Sequence, residues 1–436
     1  MEPVTHVLTG ACLARAGFNR RAAYATLTMA IAAEMPDIDT LWGLRGPVEG
    51  FAHHRGITHT LVGVPLEAAV LLGAVYGLHQ WRVTRAARLR IGPKFSNRPL
   101  TKAPVRWGWL YGCAVVALLS HLLLDFTNNY GVRPLYPFDT HWYAASIAFI
   151  FDPVMFGLLV LALVVPSLFG LVSAEVGAKR QVFRGRGLAI AALACIGCWW
   201  GLRYVEHARA VAIAMVQSYE QAQAPVAAPV VAAETPADAA DAAGSDAATT
   251  EPATAADGSV AAASSEAATA TVAQPAEMVQ PEPVVLSVQR ALASPSPVNP
   301  FRWSVAMDYG PLIQLATMDA RSGAMTTSEV TYTKPQRDAV IAAAEASSLG
   351  RVYLDWSAMP IVTEEEPAVG ATPATARKVT LRDARFMGED MLQMLTGTTP
   401  LTAVVTVNAE GRVVRQALDG RVQRHFPVLM TDLSRP

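Results

Sequence analysis

A chain of 436 residues exceeds the roughly 100 to 200 residues of a single domain, so two or more units are expected. Charged residues make up 16% and apolar residues 52%, against about 25% charged in soluble domains, which excludes a wholly soluble chain and points to a membrane protein. The formal net charge of −1, without a basic stripe interleaved with aromatics, argues against nucleic acid as a partner.

The N-terminus is not laid out as a cleaved secretory signal, because Glu2 precedes any basic residue and His6 and Arg15 interrupt the apolar stretch. It is expected to stay in the mature protein. Residues 5–16 and 22–33 read as two short helices of about 18 Å each, too short for the roughly 30 Å hydrocarbon core and suited to a short or re-entrant hairpin. Four apolar runs follow that are expected to span: 61–81, 108–127, 153–173 and 187–205. The loop after the first run holds Arg82, Arg85, Arg88, Arg90, Lys94, Arg98, Lys102 and Arg106 with no acidic residue, and Lys179, Arg180, Arg184 and Arg186 follow the third run. By the positive-inside rule both loops are cytoplasmic. This topology puts His59, His121 and Asp125 at the outer face, together with the loop carrying Asp37, Asp39, His53 and His54. His6 joins them if Arg20 and Arg21 mark the inner tip of the hairpin.

A juxtamembrane helix is expected over 207–221. Residues 222–285 are dominated by Ala, Pro, Thr, Ser and acidic side chains, and no Lys or Arg occurs between Arg209 and Arg290. Such a segment buries too little apolar surface to offset its conformational entropy, so it reads as a disordered acidic linker. Residues 286–436 read as a small soluble α+β domain on the outer side. Its expected strands are 304–308, 312–317, 329–332, 352–356 and 378–381, with a hairpin at 403–417 turning at Asn408-Ala409-Glu410-Gly411 and a helix at 336–347. The whole is thus mainly α, a polytopic helical membrane domain over 1–206 followed by linker and soluble domain. The four cysteines, Cys12, Cys113, Cys195 and Cys198, lie in apolar segments and imply packing rather than disulfides.

His121-Leu122-Leu123-Leu124-Asp125 places an imidazole and a carboxylate on one helical face, where both reach a single metal ion. An ordinary buried polar pair is the competing reading, and the company of other donors decides between them. Asp37 and Asp39 follow a helix-ending proline, and His53, His54 and His59 bring three imidazoles into seven residues. Thr58 or Thr60 is placed to cap the next helix, Gly56 to allow a sharp bend, and Arg55 to hold a phosphate or carboxylate. Mixed His and Asp donors suit zinc, with manganese or iron as alternatives. With a coordination position left open, the metal activates water for hydrolysis, and Glu34 or a non-ligating carboxylate such as Asp39 is the candidate general base.

Thr5-His6, Pro36-Asp37-Ile38-Asp39, His54-Arg55-Gly56-Ile57-Thr58-His59-Thr60 and His121-Leu122-Leu123-Leu124-Asp125, in this order and spacing, resemble the YdjM/YbcI-type inner-membrane family named as metal-dependent hydrolases. Phe151-Asp152-Pro153 resembles a further element of that family. The resemblance implies His6, Asp37, Asp39, His54, His59, His121 and Asp125 as the polar cluster, with Asp152 as a weaker addition and His53 outside the motif. It further implies a metal-dependent hydrolase of the inner membrane, while the headgroup depth of the cluster and Arg55 point to a lipid-linked or envelope substrate among membrane lipids. A non-catalytic scaffold stabilised by the metal is the alternative. A transporter ranks third because no inverted repeat is visible.

Overall fold

The computed structural model describes residues 1–88, 103–175, 185–221, 226–227, 278–279, 284–365, 376–388 and 399–423. Arg90, Lys94, Arg98, Lys102, Lys179, Arg180 and Arg184 of the basic loops lie outside the described residues, as does most of the linker. The chain divides into two units, Met1–Ser218 together with Ser287–Pro436, and Tyr219–Leu286.

The N-terminal helices are α1 (Pro3–Ala16) and α2 (Ala25–Ala32). They cross closely at Gly10, where a Cβ would stand 2.3 Å from the Met29 carbonyl oxygen, so any larger residue would force the pair apart. A 3-10 segment, Met35–Arg45, and the short helix α3 (Pro47–His53) lead through Ile57–His59 into α4 (Gly63–Arg88). Next come α5 (Trp107–Thr127), α6 (Pro153–Glu175) and α7 (Arg186–Met215). Small side chains bring these helices together. Ala25, Met29, Ala32, Ala68, Leu71 and Ala114 pack in one buried cluster of α2, α4 and α5, and Cys12, Met155, Leu159 and Ala189 pack in another of α1, α6 and α7.

The four expected spans correspond to helices α4, α5, α6 and α7. Trp107–Thr127 and Arg186–Met215 are long and apolar enough to cross a membrane alone. Gly63–Arg88 reaches that standard only with Pro47–His59, from which it is bent by 84°. In α6 the apolar stretch among the described side chains is Pro153–Pro166. Among the described residues, two helices, or three with the bent pair, are thus long and apolar enough to cross. Helix α7 also continues to Met215, through residues expected to open a separate juxtamembrane helix at 207–221, and gives way to strand β1 (Ser218–Gln221).

In the second unit, β2 (Val226–Ala227) pairs antiparallel with β3 (Met278–Val279), and β4 (Val284–Ser287) pairs with β1. The C-terminal domain is mainly β, not α+β. One antiparallel meander of four strands runs β5 (Arg290–Pro295), β6 (Arg302–Asp308), β7 (Leu312–Asp319) and β8 (Met325–Thr333). A second of five runs β9 (Pro360–Glu365), β10 (Arg377–Asp383), β11 (Ala403–Val407), β12 (Val413–Leu418) and β13 (Arg421–Val422). Two short helices, α8 (Ala339–Glu345) and α9 (Ser348–Trp356), lie between the meanders in sequence. The α9 segment overturns the expected strand at 352–356. Ser347 accepts from the Gly350 N–H as an N-cap, and burial of Leu349, Tyr353 and Trp356 follows the spacing of a helical face. The hairpin turn stands where expected, with Gly411 at φ 73°.

Candidate metal centre

Four side chains converge from three segments. His121 and Asp125 share one face of α5, with His121 Nε2 3.4 Å from Asp125 Oδ2. His59, at the end of the turn before α4, brings Nε2 within 3.0 Å of His121 Nε2, 3.2 Å of Asp37 Oδ1 and 3.4 Å of Asp125 Oδ2. Asp37 Oδ1 lies 3.7 Å from His121 Nε2. Around an ion bonded at about 2.0 to 2.1 Å, tetrahedral donors stand roughly 3.3 to 3.4 Å apart. The observed separations bracket that edge.

The outer groups fix which atoms face inward. A carbonyl oxygen only accepts, so the 2.7 Å contact between His121 Nδ1 and Ala33 O places the proton on Nδ1 and leaves the Nε2 lone pair toward the cluster. His59 Nδ1 lies 3.1 Å from Asp39 Oδ2, the carboxylate–imidazole arrangement that orients a metal-binding histidine. Among the described residues, Asp125 Oδ2 is buried without a hydrogen-bond partner. An acceptor in that state, among two imidazole nitrogens and another carboxylate, fits a cation, and the donor set suits zinc.

Asp39 also accepts from the Arg55 backbone N–H at 2.7 Å and the Thr58 hydroxyl at 3.2 Å, while its Oδ1 is 3.1 Å from His54 Nδ1. Asp37, Asp39 and His54 form a second convergent group sharing Asp37 with the first. Burial pushes the Asp37 carboxyl up, but the hydrogen bond with His59 and the attraction of the neighbouring imidazoles outweigh it and hold the group at about 2. Burial likewise opposes ionisation of Asp39, and its hydrogen bonds with His54 and His59 leave it below the usual carboxylate range. Both are therefore anionic at neutral pH.

Arg55 holds a carboxylate, one of its two expected partners, and that carboxylate is the protein's own Asp125. Its guanidinium is buried, with Nη2 2.8 Å from Asp125 Oδ1 and Nη1 bonded to Gly131 O and Asn128 Oδ1. It lies 4.6 Å from the centre of the Tyr130 ring. The sharp bend falls on Arg55 itself, at φ 54°, rather than on Gly56. The amino group of Met1 also meets Asp125 Oδ1. His6 stacks on His121 at 3.9 Å between ring centres and comes within 3.5 Å of Asp125 Oδ1, with neither ring nitrogen hydrogen-bonded. Glu34 has a buried, unpartnered Oε2, and burial together with the Asp37 charge raises its carboxyl to about 7.

The C-terminal domain reaches this shell. Trp356 Nε1 donates to Tyr130 O at 3.1 Å, and Arg385 Nη1 donates to Asn129 O at 2.8 Å. The 128–131 loop so held is the one that supports Arg55.

Residues 1–210 match the YdjM inner membrane protein family. That match and the apolar helices support an inner-membrane location. A curated relative, the uncharacterized protein YfhP of Bacillus subtilis (strain 168), is 25% identical over 164 residues, covering 36% of this chain and 43% of YfhP. The chain thus spans less than half the length of that relative. No solved structure matches.

Two remaining histidine and carboxylate positions lie apart from the YdjM-region cluster. His53 pairs with Glu49 at 3.3 Å and stacks on Trp42. Asp152 caps α6 through the Val154 and Met155 N–H groups and pairs with Arg203 and Trp199, each at 2.9 Å. Sequence reasoning overlooked Asn128, Asn129, Tyr130 and Arg385. For the first three the local signal was the polar Asn-Asn directly after an apolar run.

Proposed function

We propose that this protein is a membrane-bound, metal-dependent hydrolase acting at the outer face of the inner membrane on a lipid-linked or envelope substrate. The observation that supports it best is the convergence of Asp37, His59, His121 and Asp125, whose ligand atoms all lie within 4.8 Å of one another, while Asp125 Oδ2 has no other partner among the described residues. Bound there, zinc, manganese or iron would lower the pKa of water and provide a nucleophile near neutral pH. The chain's own residues supply the rest. Asp37, His59, His121 and Asp125 hold the ion, and Asp39 and the Ala33 carbonyl orient the two imidazoles. Arg55 fixes Asp125. Glu34, with a free buried oxygen and a carboxyl raised to about 7, accepts a proton as general base. The lipid-linked substrate follows from the outer ends of α4 and α5, where the positive-inside rule puts the centre at headgroup depth.

One observation favours the alternative of a metal-stabilised scaffold. Four protein donors close a tetrahedral shell, as in structural sites, whereas catalytic sites keep a position open. Metal analysis of the full-length protein in detergent, beside His59→Ala and Asp125→Ala, tests the centre: bound divalent metal is expected in the parent and lost from both variants. A metal-free parent after zinc loading would refute it. Chelator-sensitive hydrolysis of phosphodiester or ester lipids supports the enzyme, and full occupancy without turnover across those classes supports the scaffold. A reporter fused after Arg90 should read cytoplasmic; an external reading there would overturn the outer placement.

A further inference from the structure

We propose that the centre takes two cations, the second seated between Asp37, Asp39 and His54. This rests on the metal-centre reading above and resolves its main difficulty, the closed four-donor shell. Ligand atoms of the three residues all lie within 4.8 Å of one another, and Asp37 belongs to both groups. A carboxylate presents two oxygens. Asp37 Oδ1 faces His59 and His121, which leaves its other oxygen for the neighbouring position.

Asp39 is divided in the same way. Oδ2 is taken by the Arg55 N–H, the Thr58 hydroxyl and His59, whereas Oδ1 meets only the His54 ring nitrogen at 3.1 Å. A neutral imidazole nitrogen and an ionised carboxylate oxygen at that separation have the spacing of two donors to one ion. Thus Asp39 orients His59 with one oxygen and binds with the other.

Exposure separates the two positions. The side chains of His59, His121 and Asp125 are 0% exposed, so the four-donor position is closed apart from the shared Asp37 at 14%. His54, which belongs only to the three-donor position, is 26% exposed, so that position opens farther toward solvent. Three protein donors with an open side leave room for water, the arrangement found where a metal does hydrolytic work. Paired metals in such enzymes stand about 3.5 to 4 Å apart, a separation a shared carboxylate spans. The more closed position then sets the geometry of Asp37 while the open one meets substrate.

The test uses full-length protein in detergent, stripped by chelator and titrated with Mn²⁺. Two equivalents are expected in the parent, with an electron paramagnetic resonance spectrum broadened by a close neighbour. His54→Ala should bind one equivalent and show the six-line spectrum of an isolated ion, and its retained equivalent demonstrates that the rest of the site is folded. Asp37→Asn should weaken both equivalents. One equivalent in the parent overturns the second position while leaving the four-donor reading intact. Two equivalents in His54→Ala, or two ions without mutual broadening, also overturn it. No Mn²⁺ in the parent overturns both readings.

Discussion

Asp125 and Asp152 are both carboxylates buried among helices, and the difference between them separates a site from a strut. Each oxygen of Asp152 is matched: two backbone N–H groups of α6 on one, and the Arg203 guanidinium and Trp199 indole on the other. A buried charge satisfied in this way has nothing left to offer a ligand. Asp125 has Arg55 on Oδ1, while Oδ2 points among His59 and His121 without a hydrogen bond. Burial raises the cost of that unmet oxygen, and a cation is the partner that three surrounding donors suit. Sequence position alone does not make this distinction, since both residues sit near the ends of apolar helices.

Replacing the partner in each region should therefore fail differently. The largest stability loss is expected for Arg203→Ala, which strands Asp152 as an unpaired buried charge; about 3 to 5 kcal/mol should appear in thermal or denaturant unfolding, with metal content per folded chain unchanged. Metal loss in that variant would erase the contrast. His121→Ala should do the reverse: removing a donor is expected to weaken Zn²⁺ binding beyond the roughly 100-fold seen for outer-shell changes, as read by competition with a chelating dye. Asp39→Asn keeps the shape but loses the charge that orients His59, and about 10- to 100-fold weaker Zn²⁺ binding at the four-donor position is expected from the same assay. The smallest effect belongs to Trp356→Phe. That variant keeps much of the aromatic packing yet deletes the N–H bonded to Tyr130 O, costing about 1 kcal/mol in unfolding, with Zn²⁺ affinity shifted by less than a change at Asp39.

Much of this was legible in the residues. The i, i+4 spacing of His121 and Asp125 put both on one face of α5, and topology drawn from Lys and Arg gathered His59, Asp37 and His6 at the same end. Roles within the cluster were less legible, because they depend on which atom meets which. Asp37 and Asp39 look alike in the sequence, yet one turns an oxygen to the four-donor group and the other orients His59 from behind. Arg55 read as an anion-binding side chain; its burial is set by the 128–131 loop, which itself is held from the C-terminal domain more than two hundred residues away. The strand expected at 352–356 failed for a related reason. Apolar residues in a short run fit either period, and the Ser347 cap with burial at Leu349, Tyr353 and Trp356 decided for a helix.

The most direct test of the central claim is the zinc X-ray absorption spectrum of the purified, zinc-loaded protein beside Asp125→Asn. The account predicts imidazole nitrogens and carboxylate oxygens at about 2.0 to 2.1 Å with no sulfur shell, and a spectrum altered or lost in the variant. Zinc bound through sulfur at about 2.3 Å, or a spectrum identical in Asp125→Asn, would contradict it.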